Sequence, residues 1–135
     1  MSSGKTHAKA SVALSVPSCV VAATQWGVVP GLGVALGCLA GVFVSPDLDI
    51  DHRTYSENAL PGMLGTLWYW VWLEYSRIMP HRSFWSHAPI VGTAIRIVYG
   101  FWWIALIDVT LFWQLRWLWI GLMISDTAHW VMDVL

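Results

Sequence analysis

The chain holds five histidines, His7, His52, His81, His87 and His129, and each stands beside other residues able to donate a lone pair. Asp126, His129 and Asp133 are spaced i, i+3 and i+7, so a helix carries all three on one face. In the run Asp47-Leu48-Asp49-Ile50-Asp51-His52 the acids alternate, and an extended backbone after Pro46 would turn them to one side. Carboxylates that close repel one another unless a cation compensates. Neutral imidazole and ionised carboxylate both suit a divalent ion, so the chemistry these residues point to is metal binding. The run is not an EF-hand: His52 stands where that loop needs glycine, and Asn58 where it needs glutamate. Ser83 and Ser86 lie near histidines, but no Gly-x-Ser-x-Gly elbow supports a serine nucleophile, and no glycine-rich phosphate loop occurs.

The elements that must position these groups follow from composition. Of 135 residues, 57% are hydrophobic and 11% charged, with mean hydropathy +0.59. Soluble domains carry about a quarter charged residues, so this chain cannot coat itself with an ordinary polar surface. Seven Lys/Arg against eight Asp/Glu exclude a basic nucleic-acid face. Cys19 and Cys38 lie in apolar runs and read as small buried residues. The expected fold is all-α: an integral membrane helical bundle forming a single domain over residues 1–135. Four spans are expected, at about residues 8–24, 28–45, 89–107 and 111–125. Pro17 should kink the first span. Gly33, Gly37 and Gly41 form a smooth ridge on the second, where another helix can approach closely.

Residues 61–80 contain Trp68, Tyr69, Trp70, Trp72 and Tyr75, which suits an interfacial helix at the headgroup layer, with a fifth, imperfect span as the alternative. With an even number of spans, Lys5, Lys9, Arg53, Arg77 and Arg82 fall on one side of the membrane, which the positive-inside rule makes cytoplasmic. All five histidines fall on that same side, delivered by separate elements, as a small bundle can do. Arg96 and Arg116 lie within spans, so each needs an acid, a carbonyl or a water-filled cavity; Asp108 is the candidate partner of Arg116.

Four blocks carry a resemblance that covers nearly the whole chain: Ser2-Ser3-Gly4-Lys5-Thr6-His7, Ser45-Pro46-Asp47-Leu48-Asp49 with His52, Pro80-His81-Arg82-Ser83-Phe84-Trp85-Ser86-His87, and Asp126-Thr127-Ala128-His129-Trp130-Val131-Met132-Asp133. In these the chain resembles a family of small bacterial and cyanobacterial membrane proteins described as metal-binding proteins or membrane-bound metal-dependent hydrolases. The resemblance implies a multi-span helical protein with a divalent metal (zinc, magnesium or manganese) held by His and Asp, and it locates the chain in a bacterial inner membrane or a thylakoid.

The expected ligands are His7, Asp47, Asp49, His52, His87, His129 and Asp133. His81 and Asp126 would serve as acid–base or supporting groups, and Arg82 would meet a phosphate of a lipid. The leading expectation is a metal-dependent hydrolase acting on a phospho- or ester group at the cytoplasmic headgroup layer. The alternative is a small non-catalytic subunit of a larger membrane complex, photosynthetic or other, with a structural His/Asp site. Expected partners are membrane lipids, and protein subunits or further copies of the chain, but not nucleic acid. Ion transport would need acids deep in the spans, where the sequence offers only Asp108 near the far side.

Overall fold

The computed structural model of the chain describes residues 4–50 and 54–135. All regular structure among them is helical: α1 (Gly4–Trp26), α2 (Val28–Ala40), a 3-10 turn (Pro46–Asp49), α3 (Tyr55–Asn58), α4 (Gly62–Ile78), α5 (Phe84–His87), α6 (Pro89–Ile107), α7 (Val109–Gln114) and α8 (Arg116–Val134). The first expected span is α1, which runs on through Pro17 as a continuous helix. It turns back into α2 through Gly27 alone, at φ 102°, a conformation only glycine adopts without strain.

The second expected span is shorter as a helix than the sequence suggests. α2 ends at Ala40, and residues 41–45 carry the chain into the 3-10 turn. The third expected span coincides with α6. The fourth is broken at Leu115, so α7 and α8 are separate helices. Asp108 accepts from the N–H groups of Thr110 and Leu111 and caps α7. It is therefore not the partner of Arg116, which donates to the Trp113 carbonyl and lies 5.4 Å from the centre of the Trp117 ring. By length and apolarity, α6 alone among the described helices is sufficient to cross a bilayer; α2 is apolar but shorter.

Helix α8 is the central element. One face packs against α1 and α2 around Ala22, Val34 and Cys38. The other faces α6, and Leu122 joins a second cluster with Val44, Leu48, Trp72, Tyr75 and Ile97. The glycine ridge is consumed inside the molecule. A Cβ on Gly37 would come within 2.1 Å of the Leu118 carbonyl and 2.8 Å of the Gly121 Cα, so α2 and α8 meet backbone to backbone.

Helix α4 falls within the expected interfacial segment but does more than lie on a surface. Trp72 and Tyr75 are each 1% exposed, inserted beside the 3-10 turn and α6. Trp68 donates its indole N–H to the Phe43 carbonyl, and Tyr99 donates to the Val71 carbonyl. Met63, Leu67 and Trp70 face outward.

Candidate metal centre

Four elements deliver donors to one end of the bundle: α1 brings His7, the 3-10 turn Asp47, α5 His87, and α8 His129 and Asp133. One turn below, Ser11 and Ser125 share a 2.6 Å hydrogen bond between α1 and α8. Ser11 is four residues after His7 and Ser125 four before His129, so this bond sets the register that brings the two imidazoles together. Their rings stack with centroids 3.6 Å apart and planes 10° from parallel.

Two overlapping donor sets result, His7–His129–Asp133 and Asp47–His87–His129. Within each, the ligand atoms all lie within 4.8 Å of one another. The individual gaps are 3.3 Å from His7 Nε2 to Asp133 Oδ1, 3.4 Å from His129 Nε2 to Asp133 Oδ2, 3.5 Å from His129 Nε2 to Asp47 Oδ1, and 3.9 Å from His87 Nε2 to Asp133 Oδ2. The buried atoms His87 Nε2, His129 Nε2 and Asp133 Oδ1 have no hydrogen-bond partner. Orphaned buried donors and acceptors are costly, and three at one point call for an explanation. A divalent ion supplies one. Donors about 2.0–2.1 Å from a tetrahedral centre are separated by roughly 3.3 Å, close to the shorter gaps here. The residues present thus fit a metal.

Asp49, expected among the ligands, stands behind them. Its carboxylate is 2.7 Å from His81 Nδ1 and 3.3 Å from His87 Nδ1, and it accepts the backbone N–H of Arg82 at 3.0 Å. His87 Nδ1 also lies 2.9 Å from Ser86 Oγ, so a proton on Nδ1 faces Ser86 and Asp49 and leaves the lone pair on Nε2, turned toward the other donors. This is the carboxylate–histidine support common behind metal-binding imidazoles. Burial pushes the Asp49 carboxyl up, but hydrogen bonding by His87, His81 and Ser86 outweighs it and holds the group at about 2. Burial also raises Asp47, and the neighbouring His129 more than reverses it, leaving Asp47 below its ordinary value. His7 is lowered by burial and then by His129, against the opposing pull of Asp133 and Asp47; the net lowering favours the neutral imidazole that can donate a lone pair.

Asp126 is not at the cluster in any acid–base position. It is 1% exposed, and one carboxylate oxygen accepts from Arg96 at 2.6 Å and from Thr93 at 2.5 Å. Arg96, 0% exposed, also donates to the Ser86 carbonyl. It thereby clamps α5, the one-turn helix that carries His87. Both an acid and a carbonyl thus receive the buried guanidinium of Arg96. His52 lies outside the described residues.

Arg82 has φ 59°, the one non-glycine residue in the left-handed region among the described residues. Its N–H anchors on Asp49, and its exposed side chain borders a cleft of about 170 Å³ formed with His87, Trp130, Asp133 and Val134. Two cluster members therefore line an opening to the outside. Trp130 was not anticipated; it follows His129 on α8, and its i−3 relation to Asp133 is the only signal for it in the sequence.

Residues 2–133 match the family described as uncharacterized metal-binding protein (DUF2227), and the chain belongs to that family. Neither the comparison with curated proteins nor that with solved structures finds a match.

Proposed function

We propose that this protein is an integral membrane metal-dependent hydrolase, acting on a phospho- or carboxylic ester at the cytoplasmic headgroup layer. The observation that carries the reading is the convergence of unpartnered His and Asp atoms at a cleft bordered by a solvent-facing arginine. His7, Asp47, His87, His129 and Asp133 would hold a divalent ion. A divalent ion bound there supplies Lewis acidity, polarising an ester or phosphoryl oxygen and easing the deprotonation of water.

The chain's own residues do the rest. Arg82 offers a planar fork to an anionic oxygen at the mouth of the cleft. Asp49 orients His87. His81, its side chain 45% exposed and held through Nδ1 by Asp49, carries protons between the site and solvent. Membrane embedding is supported by an inverted distribution of residues. Val16, Val20, Ile90, Trp102 and Leu106 face outward, whereas Ser11, Ser15, Thr93, Arg96, Ser125 and Asp126 are buried.

Elemental analysis of the full chain purified in detergent, alongside hydrolysis of p-nitrophenyl phosphate and p-nitrophenyl acetate, tests the reading. Stoichiometric metal with turnover that chelator abolishes, and that His129→Ala lacks, is the expected result. A protein without metal, and unaffected by chelator, refutes it. A structural metal site in a larger complex is the second reading, favoured by the depth of His7 and His129, 5% and 3% exposed. Stoichiometric metal with no turnover on either ester, and a co-purifying partner, would select it.

A further inference from the structure

A second cleft opens at the same end of the bundle and takes no part in the metal cluster. It measures about 320 Å³, and its lining includes Lys5, Lys9, Val12, Ala13, Val42 and Tyr55. Lys5 and Lys9 are one helical turn apart on α1 and share a face. His7 lies between them in sequence, buried on the opposite side. Both lysines are exposed, and no carboxylate pairs with either among the described residues. Further along α1 the wall becomes apolar: Val12 and Ala13 are exposed, and Val42 faces them from the segment after α2. From Lys5 to Val12 the helix rises about 10 Å. A positive rim is thus followed, within the thickness of a headgroup, by an apolar trough running along the helix axis.

We infer that this cleft is a binding site for one anionic phospholipid, with its phosphate between Lys5 and Lys9 and the start of an acyl chain against Val12, Ala13 and Val42. The inference rests on the membrane reading above. The order of the lining residues decides the class of ligand. Two exposed lysines alone would hold a free phosphate weakly, because each ammonium is strongly hydrated and makes no bidentate contact. An anion with an attached hydrocarbon chain also covers the trough, and its polar-to-apolar sequence matches that of the wall. A lysine near an anionic membrane surface contributes about 1 kcal/mol, or roughly a fivefold change in affinity.

The test uses the full chain in a neutral detergent, with native mass spectrometry after addition of dioleoyl phosphatidylglycerol or dioleoyl phosphatidylcholine. With roughly fivefold from each of the two lysines, wild type should retain one phosphatidylglycerol about 25-fold more tightly than phosphatidylcholine. The double variant Lys5→Gln/Lys9→Gln should bind the two lipids equally. Arg77→Gln, which removes an exposed cation elsewhere, should keep the preference, and so should Lys5→Arg/Lys9→Arg. Excess inorganic phosphate should not displace the lipid. An undiminished preference in Lys5→Gln/Lys9→Gln, or displacement by phosphate alone, overturns the proposal. Membrane fractionation of the same cells separates the two levels. Recovery in the soluble fraction defeats the membrane reading and this one with it, whereas a membrane-bound protein without lipid preference defeats this one alone.

Discussion

Asp126→Asn should destabilise the protein severely while leaving its metal in place. The carboxylate lies 2.6 Å from the Arg96 guanidinium, and both side chains are 1% exposed or less. At an effective dielectric constant of about 20, opposite charges at that distance attract by about 6 kcal/mol. The amide keeps the volume and can still hydrogen-bond Thr93, but it leaves Arg96 charged and buried without a counter-charge. Removing one partner of such a pair costs about 3–5 kcal/mol. For a chain of this size that corresponds to a melting temperature lower by on the order of 10 °C. Thermal unfolding in detergent, followed by tryptophan emission, measures it, and elemental analysis of the folded variant at low temperature measures the metal. Arg96→Met/Asp126→Leu should recover much of the loss, since it removes both charges together. A variant Asp126→Asn as stable as wild type, or one that stays stable but loses its metal, would refute the assignment of Asp126 to a structural ion pair.

Other expectations concern the cluster and the seat of the helices. His129→Ala removes the donor common to both ligand sets and should lower metal content to background, read by elemental analysis on folded protein; Asp49→Asn, which loosens the hold on His81, the Arg82 turn and His87 behind the cluster, should weaken affinity about 10–100-fold. In metal-free protein, Asp49 has a folded value near 2 against an ordinary 3.8. Its depressed pKa therefore contributes stability above pH 4, on the order of 2 kcal/mol, that is lost as pH falls from about 4 to 2. Asp49→Asn should flatten that limb of the stability–pH curve, and an unchanged limb would contradict it. Gly37→Val places side-chain atoms where the Leu118 carbonyl and the Gly121 backbone lie, and should cost at least 1–3 kcal/mol in thermal unfolding.

Much of this molecule was legible before folding, because its signals are local. Low charge and long apolar runs announce helices. The i, i+3, i+7 spacing puts His129 and Asp133 on one face of α8, and the aromatic run marks α4. The four ends that carry His7, Asp47, His87 and His129 could be assigned to one side simply by counting turns of the chain. Local patterns failed where an outcome depended on which partner came within a few ångströms. Nothing in the spacing of Asp126, His129 and Asp133 says that the first turns to Arg96 while the other two turn to the cluster. The pairing of Asp108 with Arg116 was reasonable in sequence, but the break at Leu115 turned Asp108 into a helix cap. The glycine ridge was visible, but not that α8 would fill it.

The sequence by itself determined an all-helical chain with its metal-binding residue types gathered toward one end, since hydropathy and helical period are properties of neighbouring residues. The tertiary structure decided which of those residues face one another and which stand behind. Asp49 became the support of His87 because the 3-10 turn, α5 and the Arg82 turn pack together. Distances between groups 30 to 120 residues apart are set by helix packing, and helix packing is a property of the whole chain.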